Sequence, residues 1–304
     1  MNYEYYRMFY YVGKHKNFTR AAVELYTSQP AVTRTIQKLE TELGCLLFVR
    51  NKTGVEFTHE GQLLFDYVSA AHSQLVKGEE EVNRAAGAES GTIYIGTTVT
   101  ALWGFLFDVL DHFHLEHPGI KFKISTDSTN GVIERLKSGA VDLAFVSTPC
   151  SAAKALPTKV LWQFNDILIA GSGYQQLRDR TLTASEVTTY PLVCLRRGMQ
   201  LREFIDDYFA ENGLTTSPDI ELDGADLIVP MVSHNFGVGF VPQNMAQDAI
   251  ERGEVFRIRL AEELPTRQIC LITDPRHPRS RASRELSKAI LRAAQGGGAA
   301  DTSI

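Results

Sequence analysis

The sequence contains no hydrophobic run that approaches the ~18 residues of a membrane-spanning helix. The apolar stretch at residues 8–12 ends at Gly13 and Lys14, and it is too short for the core of a signal peptide. Nothing in these residues predicts export or a membrane partner, and we therefore expect a cytoplasmic protein.

Cysteine is scarce, and Cys45, Cys150, Cys194 and Cys270 lie far apart without any Cys-x-x-Cys pair. In a chain of this size without an export signal, reduced and buried thiols are the expected state. A redox switch through two of these cysteines is the alternative, although nothing in the sequence marks a thiolate of low pKa.

Motifs for catalysis and for metal binding are also missing. There is no Gly-x-Ser-x-Gly or Walker loop, and Gly171-Ser172-Gly173 lacks the third glycine of a dinucleotide-binding loop. His112, His114 and His117 alternate with acidic residues and have no His/Cys framework around them, which favours a solvated helix face over a metal site. We expect no enzyme activity, no metal and no cofactor.

The net charge of −5 at pH 7 is not typical of a nucleic-acid-binding protein, but it is unevenly distributed. The first sixty residues carry eight Lys and Arg against six Asp and Glu, whereas acidic residues outnumber basic ones in the remainder. This asymmetry favours a DNA-facing N-terminus on a larger acidic body.

The N-terminal pattern predicts two helices joined by a tight turn. Ser28 precedes a helix from Pro30 to about residue 43, with proline in the first turn, where its missing N–H costs nothing. The N-terminal end of this helix is polar, as in a recognition helix that presents side chains to the major groove, and Arg34 is placed to reach a phosphate or a guanine. Helical spacing predicts that the opposite face is buried through Val32, Ile36, Leu39 and Leu43.

Two apolar segments, residues 46–49 and 55–58, flank a basic tip and predict a hairpin. A long helix follows, from residue 59 to about 87. It carries a heptad-like apolar stripe that one helix cannot bury alone, which predicts a dimer interface; packing against its own domain is the alternative. The stripe consists of Leu64, Val68, Ala71, Leu75, Gly78 and Val82.

From residue 91 onward, strands alternate with helices. The order β-α-β-α-β over residues 93–146 predicts a parallel sheet, and a similar alternation continues from residue 167 to 294. Residues 296–304 are small and polar, and we expect them to be disordered.

The run Ser28-Gln29-Pro30-Ala31-Val32-Thr33-Arg34 resembles the signature of the LysR-type transcriptional regulator family. The chain departs from the family pattern at Thr53, where members commonly carry an arginine, and Lys52 is expected to supply that phosphate contact; a solvated charge is the alternative for Lys52 and for Arg50. Weaker likeness continues at residues 117–120, 136–139, 141–144 and 237–242. The stronger agreement extends with fixed spacing through Ile36, Leu39-Glu40, Leu43-Gly44, Leu47-Phe48, Arg50, Val55, Phe57-Thr58 and Gly61.

The resemblance implies an N-terminal all-α winged helix-turn-helix, a long linker helix and a C-terminal α/β periplasmic-binding-protein-like domain of two subdomains. The corresponding regions are a DNA-binding domain (1–58), a linker and dimerisation helix (59–90), an effector-binding domain (91–295) and the tail (296–304). Within the effector-binding domain, residues 91–162 and 268–295 form subdomain I, and residues 163–267 form subdomain II. The residues expected to contact double-stranded promoter DNA are Ser28, Gln29, Pro30, Thr33, Arg34, Arg50 and Lys52.

A ligand between the subdomains would lie at the carboxyl ends of strands, where open α/β sheets bind ligands. Thr98 and Thr100 lie between the first strand and its helix, which suits a carboxylate or another anion, and similar positions bind effectors in family members. Thr129, Ser147 and Arg196 follow other strands and are added by the same argument. Helix capping is the alternative role for the threonines, and a surface salt bridge is the alternative for Arg196.

These observations predict a LysR-type regulator whose DNA binding or promoter activation responds to a small-molecule effector. One winged helix makes few contacts, so we expect a dimer that binds two half-sites. The resemblance implies a tetramer, and RNA polymerase is a further candidate partner. The alternative is a cytoplasmic binding protein or enzyme with a vestigial DNA-binding domain.

Overall fold

The computed structural model describes residues 2–51, 54–85, 91–148 and 156–296, and the chain divides near residue 88 into two compact units. The side chains of Asn2, Asn17 and Ser28 cap the first three helices by accepting backbone N–H groups. The first unit begins with α1 (Tyr3–His15), α2 (Phe18–Glu24), α3 (Gln29–Leu43), β1 (Phe48–Asn51) and β2 (Gly54–Phe57).

The β1–β2 hairpin is antiparallel and is tied to the helices by hydrogen bonds. Glu40 Oε1 of α3 accepts the backbone N–H of Leu47 at 2.8 Å, and the N–H of Val55 donates to the carbonyl of Lys16 at 3.2 Å. Gly54 has φ +149°, and a Cβ there would lie 2.7 Å from the same carbonyl oxygen, so only glycine fits without a shift. These contacts hold the hairpin beside α3 as a wing.

The core of the first unit is aromatic. The ring of Phe9 in α1 lies 5.2 Å from that of Phe48 and 6.2 Å from that of Phe57, within the range of favourable aromatic pairs. The predicted apolar face of α3 is buried except at Leu43, which is 42% exposed because it is the last residue of the helix. The buried residues of that face are Val32, Ile36 and Leu39.

The long helix α4 (His59–Ala85) begins directly after the wing and contains 27 residues, about 40 Å at 1.5 Å per residue. Val68 is 9% exposed in the core of the first unit, and Leu64 packs against that core. Of the predicted stripe, Ala71, Leu75 and Val82 are exposed. No helix among the described residues is both long enough and apolar enough to cross a membrane.

The second unit contains two sheets with helices packed on them. Its elements in chain order are β3 (Gly91–Thr97), α5 (Val99–Ala101), a π-helical segment (Leu102–Leu106), α6 (Phe107–Glu116), β4 (Ile120–Thr126), α7 (Thr129–Lys137), β5 (Leu143–Ser147), β6 (Thr158–Phe164), β7 (Asp166–Gly171), β8 (Thr181–Leu182), α8 (Ala184–Val187), β9 (Leu192–Leu195), α9 (Gln200–Glu211), β10 (Ile220–Leu222), α10 (Ile228–Ser233), β11 (Val238–Pro242), α11 (Gln243–Glu251), β12 (Val255–Leu260), β13 (Arg267–Ile272) and α12 (Arg281–Gly296).

The five-stranded sheet has the order β4-β3-β5-β13-β6, and the six-stranded sheet has the order β10-β9-β11-β7-β12-β8. The chain leaves the first sheet after Phe164, enters the second at Asp166, and returns at Arg267. Strand β6 ends two residues after the subdomain boundary expected at residue 162, and β13 begins one residue before the boundary expected at residue 268. The two crossings lie side by side, since Thr266 donates through Oγ1 to Asn165 Oδ1 at 2.9 Å.

The parallel sheet predicted over residues 93–146 is present, because β3 pairs in parallel with both β4 and β5. The sheet as a whole is mixed, since β13 pairs antiparallel with β5 and β6. That pairing joins segments more than a hundred residues apart, and local hydrophobic patterns do not report such long-range pairing.

Candidate functional site

The turn between α2 and α3 presents the N-terminal end of α3 to solvent. Ser28 Oγ accepts the N–H of Ala31 at 3.4 Å, and Pro30 lies in the first turn, so the helix starts where the sequence predicts. Tyr26, in the turn itself, has φ +51° and is 98% exposed. This end of α3 is free to approach another molecule.

The predicted DNA-contacting residues of α3 lie on the surface opposite its buried face. Ser28, Pro30 and Arg34 are exposed, and Gln29 and Thr33 are half-buried. Gln29 Nε2 donates to Thr33 Oγ1 at 2.9 Å, which fixes both side chains relative to the helix.

Arg34 has no hydrogen-bond or ion-pair partner among the described residues, so its guanidinium is available for a phosphate or a base. The backbone of Arg50 belongs to β1, whereas its side chain and the whole of Lys52 lie outside the described residues.

The second candidate site is a cavity of about 240 Å³ in the second unit. All five predicted effector residues line it: Thr98, Thr100, Thr129, Ser147 and Arg196. The cavity lies where β3, β4 and β5 of one sheet and β9 and β10 of the other end, as expected of an α/β ligand site. Sequence reasoning missed further lining residues, among them Asp127, Met199, Gln200 and Asp223. The positions of Asp127 and Asp223 directly after strands were the available signal.

The cavity wall is rich in buried hydroxyl groups. Thr98, Thr100, Thr129 and Ser147 are each at most 8% exposed. Thr98 Oγ1 accepts the N–H of Ala101 at 3.3 Å, so this threonine does cap a helix. Thr129 Oγ1 is buried without a hydrogen-bond partner among the described residues. Because an unpaired buried hydroxyl is costly, Thr129 is the group that most needs a partner from outside the protein.

The charged groups of the cavity are arranged in pairs. Arg196 forms an ion pair with Asp223, and Asp127 accepts from Arg135 Nε at 3.4 Å. The salt bridge considered as the alternative for Arg196 is thus present, and the side chain lines the cavity as well. The charged side chains Arg196 and Asp127 are therefore already paired. The groups that remain for a ligand are the hydroxyl groups and the N-terminal end of α7.

Among the described residues, Cys45, Cys194 and Cys270 form no disulfide. Burial raises the pKa of Cys194 to about 12, so its thiol carries almost no thiolate near neutral pH. Cys270 is buried and Cys45 is half-buried; Cys150 lies outside the described residues. Among the described residues, no three His, Cys, Asp or Glu side chains are grouped so that they could hold a metal ion. His112, His114 and His117 therefore do not form such a group.

The fold and these two sites define a DNA-binding transcriptional regulator with a separate effector-binding domain. Residues 3–62 match the family model described as "Bacterial regulatory helix-turn-helix protein, lysR family". Residues 86–295 match the model described as "LysR substrate binding domain". Since the two matches together extend over most of the chain, this protein belongs to the LysR family of bacterial transcriptional regulators.

Curated relatives are similar over most of their length. The chain is 26% identical over 262 residues to the HTH-type transcriptional regulator IlvY of Escherichia coli strain K12, covering 84% of this chain and 88% of IlvY. It is 25% identical over 235 residues to the RuBisCO operon transcriptional regulator of Allochromatium vinosum, covering 77% of each chain. Both relatives are named as regulators of transcription.

Solved structures share the fold. CbnR, a LysR family transcriptional regulator, superposes with a TM-score of 0.72 at 18% identity over 97% of this chain and 99% of its own. Full-length CbnR in complex with its target DNA gives 0.71 at 18% identity over 96% and 100%. At this level of identity the likeness establishes the fold, and the roles of individual residues must be argued from this chain.

Proposed function

We propose that this regulator binds promoter DNA through the exposed face of α3 and that a small carboxylate in the 240 Å³ cavity modulates this binding. The observation that carries the effector proposal is the unpartnered, buried hydroxyl of Thr129 at the start of α7. A carboxylate would accept a hydrogen bond from it and would also benefit from the free N–H groups at the helix N-terminus.

The DNA contacts are tested by mobility shift with the upstream intergenic DNA of the protein's own gene at fixed salt, since phosphate contacts make affinity strongly salt-dependent. The double variant Gln29→Ala/Arg34→Ala should weaken selective binding by roughly tenfold or more, the scale of one lost base contact. Gln175→Ala/Arg178→Ala, which removes the same residue types from an exposed surface, is the matched control. Equal binding by both double variants would contradict the assignment.

The effector site is tested by thermal shift with a panel of acetate, oxalate, succinate, benzoate and inorganic phosphate. Thr129→Val removes the hydroxyl but keeps the shape of the side chain, and it should abolish the shift produced by a binding anion. Thr181→Val, at an exposed position in β8, should leave that shift unchanged. A ligand that stabilises wild type and Thr129→Val equally does not use this cavity hydroxyl.

The oligomeric form, the location and the partners are part of the same proposed function. The working form is a dimer joined through α4 and assembled further into a tetramer, which places two winged helices on two half-sites. It acts on promoter DNA in the cytoplasm without catalysing a reaction, and RNA polymerase is a further candidate partner.

A further inference from the structure

Arg267 lies at the point where the chain returns from the six-stranded sheet to the five-stranded sheet. It is the first residue of β13, it is 1% exposed, and its neighbour Thr266 bonds to Asn165 at the other crossing. A fully buried arginine is rare unless its charge is paired and its donors are satisfied. The buried guanidinium of Arg267 therefore depends on partners within the protein for its charge and its N–H donors.

The partners of Arg267 come from both sheets. On the side of the five-stranded sheet, Nε donates to the carbonyl of Thr148 at 2.8 Å and Nη2 donates to Ser147 Oγ at 3.0 Å. On the side of the six-stranded sheet, Nη1 donates to Oδ2 of Asp166, the first residue of β7, at 3.0 Å.

One aromatic ring from each sheet's side lies close to the guanidinium of Arg267. Its Cζ lies 5.1 Å from the ring centre of Phe164 at the end of β6 and 5.0 Å from that of Phe204 in α9. Both distances suit cation–π contacts. Through these two ring contacts and three hydrogen bonds, one side chain connects the two sheets.

One of these partners also lines the candidate effector cavity. Ser147 Oγ accepts from Arg267, so its own hydrogen remains to be donated into the cavity. A carboxylate that accepts this hydrogen would strengthen the bond from Arg267, since hydrogen bonds in a chain polarise one another. One hydroxyl group would thus connect the ligand to Arg267 and to the two chain crossings between the sheets, which together form the hinge.

We infer that Arg267 is a positioning residue that couples the effector cavity to the arrangement of the two sheets. The inference rests on the proposed function, because it assumes a ligand at Ser147. Anion binding tightens the contact between Arg267 and Ser147 and favours the sheet arrangement seen here. Asp166 Oδ1 is buried without a partner among the described residues, so the hydrogen-bond network around Arg267 is incompletely satisfied. A second arrangement of the two sheets is therefore accessible.

The test uses Arg267→Lys in the full chain. Lysine keeps a positive charge beside Asp166, but its compact ammonium group lacks the planar fork of donors with which arginine bonds to three separated groups and stacks on aromatic rings. Arg202→Lys is the matched control, since Arg202 is also buried and is bonded to Leu195, Asp206 and Glu221, all on the side of the six-stranded sheet. Both substitutions should lower the melting temperature, so stability alone does not distinguish them.

The deciding measurement is the operator footprint and operator affinity, each without ligand and with the members of the anion panel. In Arg267→Lys, the factor by which a bound anion changes operator affinity should fall toward one, and the ligand-free footprint should already differ from that of wild type. Arg202→Lys should behave as wild type in both respects. A wild-type anion response and footprint in Arg267→Lys would overturn the inference.

The failure of the proposed function has a different signature. If no anion of the panel binds wild type, the effector proposal fails for these ligands, and the ligand-free footprint alone decides the role of Arg267. A changed footprint in Arg267→Lys but not in Arg202→Lys supports the coupling role. An unchanged footprint in both variants rejects it.

Discussion

Gly61 shows how a single residue fixes the junction between the wing and α4. A Cβ at this position would lie 1.9 Å from the carbonyl oxygen of Leu47, a backbone atom that cannot move without disturbing β1. Gly61→Ala should therefore destabilise the DNA-binding unit by about 1–3 kcal/mol, the usual cost of overpacking. Thermal unfolding together with operator binding at increasing temperature measures this loss.

Gly78 in the same helix is the control for that substitution. No described residue of the same chain lies within 4 Å of a Cβ placed there, so Gly78→Ala should leave the stability of the single chain unchanged or should raise it by up to about 1 kcal/mol through helix propensity. A loss of stability as large in Gly78→Ala as in Gly61→Ala would show that the helix, and not the contact with Leu47, decides the outcome.

His72 makes the contact between α1 and α4 sensitive to pH. Its ring lies 4.2 Å from that of Tyr10 and 5.7 Å from that of Tyr11, and its Nδ1 is buried without a partner among the described residues. Burial, helped by the positive charges of Arg7 and Lys14 and opposed by Glu79, lowers the pKa of His72 below its ordinary value of 6.5.

The unfolded chain therefore takes up the proton first. The stability of this contact should fall as the pH drops below 6.5 and should level off below the pKa of the folded state. Hydrogen exchange of the α1 segment, corrected for its intrinsic pH dependence, should report that slope in wild type. His72→Phe keeps a ring against Tyr10 and should flatten the slope; an equal slope in the variant would assign the effect to another group.

Among the secondary-structure elements, α4 shows both the reach and the limit of sequence patterns. The heptad spacing predicted a helix with one apolar stripe, and the helix is there. The structure buries Val68 in the core of the DNA-binding unit, packs the half-buried Leu64 against that core and leaves Leu63 and Tyr67 exposed by 55% and 72%. The exposed stripe therefore runs through residues adjacent to the predicted ones in the first half of α4: Leu63, Tyr67, Ala71, Leu75, Gly78 and Val82.

The exposed stripe predicts which substitutions separate dimerisation from folding. Tyr67→Lys and Leu75→Glu should give folded monomers, because each places a charge in the proposed dimer interface at a position that is exposed in the single chain. Val68→Glu should instead unfold the DNA-binding unit, since it buries an unpaired charge. Sedimentation velocity with circular dichroism distinguishes the two results, and a folded dimer of Tyr67→Lys would place the interface elsewhere.

At the candidate effector site, too, local sequence patterns predicted some residues, whereas others became apparent only in the tertiary structure. Polar side chains that follow successive strands, four of them threonine or serine and the fifth Arg196, were sufficient to predict five lining residues, because parallel strands end at a common edge. Arg267 and Asp166 escaped sequence reasoning, although each is a charged residue at the start of an apolar strand. Their importance arises from two crossings that lie about a hundred residues apart in the chain, and only the tertiary structure brings these together.

At the scale of the whole molecule, the proposed DNA-binding surface of α3 and the candidate effector cavity belong to different units, so any influence between them is a coupling free energy. Linkage requires this coupling to be reciprocal. If an anion raises operator affinity by some factor, operator DNA must raise the affinity for that anion by the same factor. Typical couplings of about 1–3 kcal/mol correspond to roughly 5- to 150-fold.

The equality can be measured with the full chain by titrating the binding anion in the presence and absence of saturating operator, alongside operator titrations with and without the anion. We expect equal factors in wild type and no coupling in Thr129→Val, whose operator affinity without anion should match that of wild type. Unequal factors would mean that the anion also binds the DNA or changes the oligomeric state. Equal factors that persist in Thr129→Val would move the coupled site out of the cavity lined by that hydroxyl.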